Sequence, residues 1–198
     1  MKKLLTLAVV IATASLAQAA TLSWMASQVY QPKENPTDAN VAVNGGLVYL
    51  FITEQSKEFG AGVTTATAVS DFITSGAELY TDTEGKKYLK KGDDKIGIAA
   101  QGATNTAGGF SGATGFYGNF GAGDSLTAFA VVFDASTLAE AKNFMVTSTK
   151  SASWTSPSGA KTLLFGSQAN ATWTAVPEPS TAVLALAGLA LLLKRRRA

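Results

Sequence analysis

The chain offers carboxylates, hydroxyls and lysines for chemistry, but no histidine and no cysteine. That removes a Ser-His-Asp triad, a thiolate nucleophile and a His/Cys zinc centre together. Gly109-Phe110-Ser111-Gly112-Ala113 comes near a nucleophile elbow, yet it lacks the final glycine, and no imidazole could activate Ser111. Two-carboxylate glycoside hydrolysis survives, since it needs only an acid and a base. Glu54 and Glu58, after an apolar stretch, and Asp93-Asp94, beside Lys91 and Lys95, are the available pairs. Each reads more simply as solvated turn charge. Asp82, Glu84, Asp93 and Asp94 carry oxygen ligands of the kind calcium prefers. They lack EF-hand spacing, and Lys86, Lys87, Lys90 and Lys91 interleave with them. The expectation is no enzyme, no metal and no cofactor.

Residues 102–123, GATNTAGGFSGATGFYGNFGAG, hold eight glycines and four aromatics, and are expected to form a long irregular loop. Gly118-x-x-Gly121-x-Gly123 has the wrong glycine order for a dinucleotide fingerprint, and the strand follows it rather than precedes it. Phe110, Phe116, Tyr117 and Phe120 would stack on sugar rings if exposed; otherwise they cover the edge of a core. Trp24, Trp154 and Trp173 read as core or sheet-packing residues.

The elements that must position these groups read as strands. Leu22, Trp24 and Ala26 alternate with Ser23, Met25 and Ser27 in a first strand that Pro32 and Pro36 end. Gly46 to Thr53 (GLVYLFIT) is β-branched and aromatic, as a buried central strand requires. Gly60 to Val69 and Lys95 to Ala100 are weaker strands. Leu79-Tyr80 and Tyr88-Leu89 flank Asp82-Thr83-Glu84-Gly85 in a hairpin over Ala77 to Lys91. Ser125 to Phe133 (SLTAFAVVF) is the clearest strand. Thr137-Leu138-Ala139-Glu140 is a capping box that predicts a short helix to about Phe144. Phe144 to Thr149, Lys161 to Phe165 and Asn170 to Ala175 supply the last strands. The fold class is therefore all-β: one β-sandwich-like domain of jelly-roll or Greek-key type with one short helix, with a barrel or β-roll as the alternatives.

The N-terminus, MKKLLTLAVVIATASLAQAA, has Lys2 and Lys3, an apolar run and a small-residue site at Ala17 and Ala19. That is the layout of a secretory signal peptide over residues 1–19, with Sec machinery and signal peptidase as partners. At the other end, Pro177-Glu178-Pro179 precedes an uncharged stretch to Leu193 and then Lys194, Arg195, Arg196 and Arg197. A helix from Pro179 to Leu193 would be about 22 Å long, short against a hydrocarbon thickness of about 30 Å. The four cations read as a stop-transfer signal held on the cytoplasmic side. Both ends place residues 20–176, the exported domain, outside the cytoplasmic membrane.

This order resembles the C-terminal sorting signal of PEP-CTERM proteins of Gram-negative bacteria, over residues 177–198. The resemblance implies Pro177, Glu178 and Pro179 as the sorting and processing motif, a C-terminal transmembrane helix, and an exosortase-type protease as partner. It implies a precursor held transiently in the inner membrane, then a protein of the cell surface or extracellular matrix. Exopolysaccharide is a further partner on that reading, and the role is structural or adhesive, with a carbohydrate-binding module as the alternative and a carboxylate-only glycan enzyme last. Two prolines two residues apart favour the extended backbone a protease needs.

Charge follows the same division. Residues 20–179 hold ten lysines and no arginine against all fourteen acids, a net −4, whereas the full chain is +2. The basic balance belongs to the targeting ends, so nucleic-acid binding is not expected. Without disulfides, an exported domain of 157 residues must rely on its apolar core.

Overall fold

The computed structural model describes residues 20–35, 37–52, 65–116, 125–153 and 160–177. Ala17 and Ala19 of the expected signal peptide, Glu54, Glu58, Tyr117, Phe120, Trp154, Glu178, Pro179, the expected membrane stretch and Lys194 to Arg197 lie outside the described residues. In chain order the elements are β1 (Ala20–Val29), β2 (Leu47–Ile52), α1 (Ala66–Thr74), β3 (Glu78–Thr81), β4 (Lys87–Lys91), β5 (Asp94–Gly97), β6 (Ala100–Ala103), β7 (Phe110–Phe116), β8 (Ser125–Phe133), β9 (Asn143–Val146), β10 (Lys150–Ser153), β11 (Ala160–Gln168) and β12 (Trp173–Ala175). The described residues are all-β with one short helix.

β2 and β8 are apolar at nearly every position because both faces of their sheet are covered. They pair antiparallel at the centre of the order β12-β9-β8-β2-β6, with β10 also on β8. Alternation of side chains divides this run between two cores. Val48, Leu50, Ala128, Ala130 and Val132 face Leu22, Trp24, Leu163 and Phe165 of a second sheet, ordered β11-β1-β7. Tyr49, Phe51, Phe129, Val131 and Phe133 point the other way, onto Val69 and Ile73 of α1 and Leu89 of β4. The β3-β4-β5 meander and α1 thus cover the face that the second sheet leaves bare. The named pairings are antiparallel except β1–β11, which runs parallel, a departure from the all-antiparallel order of a jelly roll or Greek key.

Three expectations are corrected. The weak strand expected over Gly60 to Val69 is, in its described part, the start of α1. Thr65 caps the helix by accepting the Ala68 N–H at 3.1 Å, and Val69 and Ile73, one turn apart, are its buried stripe. Gly76, at φ +87°, ends it. The helix expected after Thr137 is a single turn instead. Half of its capping box forms: Thr137 Oγ1 accepts the Glu140 N–H at 3.3 Å, while Glu140 Oε2 accepts the Thr137 hydroxyl at 2.9 Å in place of the Thr137 N–H. One backbone bond follows, Ala141 N–H to the Thr137 carbonyl at 3.1 Å. The Asp134 carboxylate then takes the next two N–H groups, those of Lys142 and Asn143, at 2.9 and 3.1 Å. Helical propagation stops there.

The third correction concerns the glycine-rich segment. Its first part is β6, a tight turn and β7, where an irregular loop is expected. Asn105 Oδ1 closes the turn by accepting the Ala107 and Gly109 N–H groups, each at 3.0 Å. The glycines on the flanking strands make room for one ring. A Cβ on Gly102 would lie 2.8 Å from the Trp24 indole, and one on Gly112 only 2.4 Å from it. Phe110 closes the same nest, its ring centroid 5.6 Å from Trp24 and 6.1 Å from Phe165.

Leu50→Asp and Val131→Asp each place a charge in one of the two cores, at fully buried positions, a cost of at least several kcal/mol. Both variants should lose the β-type circular dichroism spectrum and the cooperative thermal transition. Gly112→Ala should fold but lose about 1–3 kcal/mol through overpacking against Trp24, read as a lower urea midpoint with an unchanged m-value.

Candidate functional site at the C-terminal exit

The chain leaves the fold along β12, a three-residue strand at the edge of the larger sheet. It pairs antiparallel with β9 through Trp173↔Met145, Thr174↔Phe144 and Ala175↔Asn143. Trp173 packs on the first core, and its indole N–H donates to the Tyr30 carbonyl at 3.0 Å. Val176 packs on the second core, and its N–H donates to the Lys142 carbonyl at 2.8 Å. Pro177, the next residue, is exposed.

That exit is held by residues the sequence did not single out. Besides the Lys142 and Asn143 N–H groups, the Asp134 carboxylate accepts the Asn143 side-chain amide at 2.9 Å. The Asp134 N–H in turn donates to the Asn143 carbonyl at 3.1 Å. These bonds fix the Lys142 carbonyl on which Val176 rests. The only sequence signal for them was an Asp directly after the clearest strand.

The other candidate residues do not converge. Among the described residues no group of three Asp or Glu side chains comes together in a way that could hold a metal. Asp93 and Asp94 are exposed at the β4–β5 turn. Asp82 is a turn staple: Oδ1 accepts the Glu84 and Lys86 N–H groups at 2.9 and 2.8 Å, and Oδ2 accepts the Tyr88 hydroxyl at 3.1 Å. Ser111 lies within β7, opposite Met25, on a straight strand and not on a turn. Phe110 is 3 % exposed, so its ring belongs to the core and is withdrawn from any sugar-stacking surface. Phe116 ends β7. Tyr49, whose hydroxyl is pushed up to about 12 by burial, stays protonated at neutral pH.

A cleft of about 340 Å³ opens between the β3–β4 turn and the chain entering β6. Lys86, Lys87, Tyr88, Ile98 and Gln101 are among its lining residues, and the Lys87 ammonium donates to the Gln101 side-chain carbonyl.

Residues 175–198 match the PEP-CTERM protein-sorting motif. No curated protein and no solved structure matches the chain. The motif implies export, membrane-associated sorting and processing by an exosortase. Its first residue, Ala175, is still inside β12, so the fold and the sorting signal share residues without a spacer. Among the described residues no helix is long and apolar enough to cross a membrane.

The Asp82 staple generates a pH dependence. Its partial desolvation acts to raise the carboxyl, but the hydrogen bonds from the Lys86 N–H, the Tyr88 hydroxyl and the Glu84 N–H outweigh that and hold it below the usual carboxylate range. A depressed folded-state value stabilises the turn above the unfolded value of about 3.9 and is lost as pH falls through the folded one. Amide exchange at Glu84 and Lys86, corrected for its intrinsic pH dependence, should therefore accelerate on acidification below about pH 4, ahead of the β8 amides. In Asp82→Asn that acid step should vanish.

Proposed function

We propose that the protein is an exported envelope or extracellular-matrix component with a structural or adhesive role, delivered by its C-terminal sorting signal and not itself an enzyme. The observation that carries this reading is the sorting motif over residues 175–198, joined directly to a β-domain. The chemistry points the same way. Nucleophilic catalysis lacks an imidazole or thiolate partner throughout the chain, and the described carboxylates act as turn staples or lie in solvent. In the precursor, Ser180 to Leu193 holds the chain in the inner membrane and Lys194 to Arg197 keep its end cytoplasmic. Removal of that end leaves a domain of net negative charge at the cell surface or in the matrix.

A second reading, glycan binding, draws on the cleft beside β4. There an aromatic side chain, Tyr88, lies with the Lys87 ammonium and the Gln101 amide, the mixture of apolar wall and polar donors that ligand clefts share. Retention of the folded domain on polysaccharide beads, lost in Gln101→Ala but not in Asp93→Asn, would favour it over a purely structural role.

Replacing Pro177, Glu178 and Pro179 together by alanine should leave the precursor in the inner membrane, larger than the processed protein by the mass of the retained tail. Replacing Lys194 to Arg197 by neutral residues should instead let uncleaved precursor slip into the periplasm, because the short apolar stretch has little hydrophobicity to spare. Identical migration of wild type and the triple-alanine variant, in a host carrying an exosortase, would refute the sorting role.

A further inference from the structure

Peptidases commonly take their substrates as extended strands, satisfying the backbone N–H and C=O groups as a neighbouring β-strand would. On the N-terminal side of Pro177 one edge of the chain, the backbone groups that face β9, is already engaged. Trp173 to Ala175 are paired with Met145 to Asn143, and the Val176 N–H is on the Lys142 carbonyl. Trp173 and Val176 are further pinned on opposite faces of the sheet. The first residue free of these contacts is Pro177 itself, so a protease acting beside it meets a strand whose inner edge is held by β9 and whose Trp173 and Val176 side chains are seated on the sheet.

We propose that docking of β12 on β9 gates processing of the tail: β12 must peel from the sheet before the protease can engage the chain around Pro177. Trp173, Asp134 and Asn143 are then positioning residues. Trp173 holds the strand through its seat and the Tyr30 bond, while Asp134 and Asn143 fix the Lys142 carbonyl that holds Val176. They act on access to the bond, not on its chemistry. In the cleavage itself the amide C–N bond breaks, water or an acceptor amine adds to the carbonyl carbon, and the tail departs with a free amine. The gate rests on the sorting reading above.

The facing pair Ala175↔Asn143 allows a direct test. Because the neighbouring Val176 N–H bonds to Lys142, this pair falls at a non-hydrogen-bonded position, where Cα atoms lie about 4.5 Å apart. That is within the roughly 4.4–6.8 Å a disulfide spans. The chain has no cysteine of its own, so Asn143→Cys/Ala175→Cys would introduce one defined crosslink in the oxidising periplasm. The full-length precursor is followed by pulse-chase in an exosortase-carrying host. The expected result is a precursor half-life at least tenfold longer in the crosslinked double variant than in either single variant, returning to the single-variant value when dithiothreitol is added. Equal half-lives with the disulfide verified as formed would overturn the gate, as would precursor that stays uncut after reduction. A wild-type precursor that is never processed would overturn the sorting reading and the gate with it; normal wild-type processing confines a failure to the gate alone.

Discussion

The β2–β8 pair is the constraint on which the rest of the structure depends. Two adjacent strands with apolar side chains on both faces cannot stand in water, and a fully buried Phe or Leu is worth only about 1.5–3 kcal/mol when its cover is complete. Each face therefore needs its own layer. The β11-β1-β7 sheet covers Leu50 and Val132, while α1 and the β3-β4-β5 meander cover Phe51 and Phe129. A domain with no disulfide and no described metal cluster has these two cores as its main source of stability. Because they share one sheet, loss of either layer exposes side chains of the same two strands.

Much of this was legible because burial on both faces writes itself into composition. SLTAFAVVF and GLVYLFIT carry the pattern of central strands, and they are the central strands. The Asp82 turn was legible too, since its residue types have a mechanism. What sequence reasoning missed were decisions between competing partners for the same backbone groups. Thr137 caps the Glu140 N–H as expected of it, but whether a helix continues depended on Asp134, which lies before the cap and takes the next two N–H groups. At α1 the alternation of Thr and Ala imitated a strand; the Val69–Ile73 spacing, together with Thr65 and Gly76 at its ends, was the better signal.

The glycine-rich segment shows why composition alone misleads about function. Eight glycines among aromatics suggest a flexible loop or a ligand cradle, and both ideas take glycine as a source of freedom. At Gly102 and Gly112 the reason is the opposite. The glycines sit in regular strands and are small because the Trp24 indole occupies the space a Cβ would need. The contact joins β6 of one sheet to β1 and β7 of the other, so the segment acts as the corner at which the sheets meet. An indole on one strand and missing side chains on two others form a single packing unit, and no one-dimensional pattern marks them as partners.

The same reasoning bears on the exit of the chain. The candidate site was legible in residue type at Pro177, Glu178 and Pro179, but its geometric setting was not, because nothing in those three residues reports what precedes them. β12 has three residues and, among the described strands, one neighbour, whereas β8 is buried along almost its full length between partners on both sides. Native proteins open in local units, and short edge elements with few buried contacts open at the smallest free energy. The fold can therefore release β12 while β2 and β8 stay packed. A sorting signal fused to the middle of the sheet would have required global unfolding to become accessible. Fused to this edge, it needs only the loss of the Trp173–Tyr30 and Val176–Lys142 bonds, the short ladder between them and the modest burial that accompanies them.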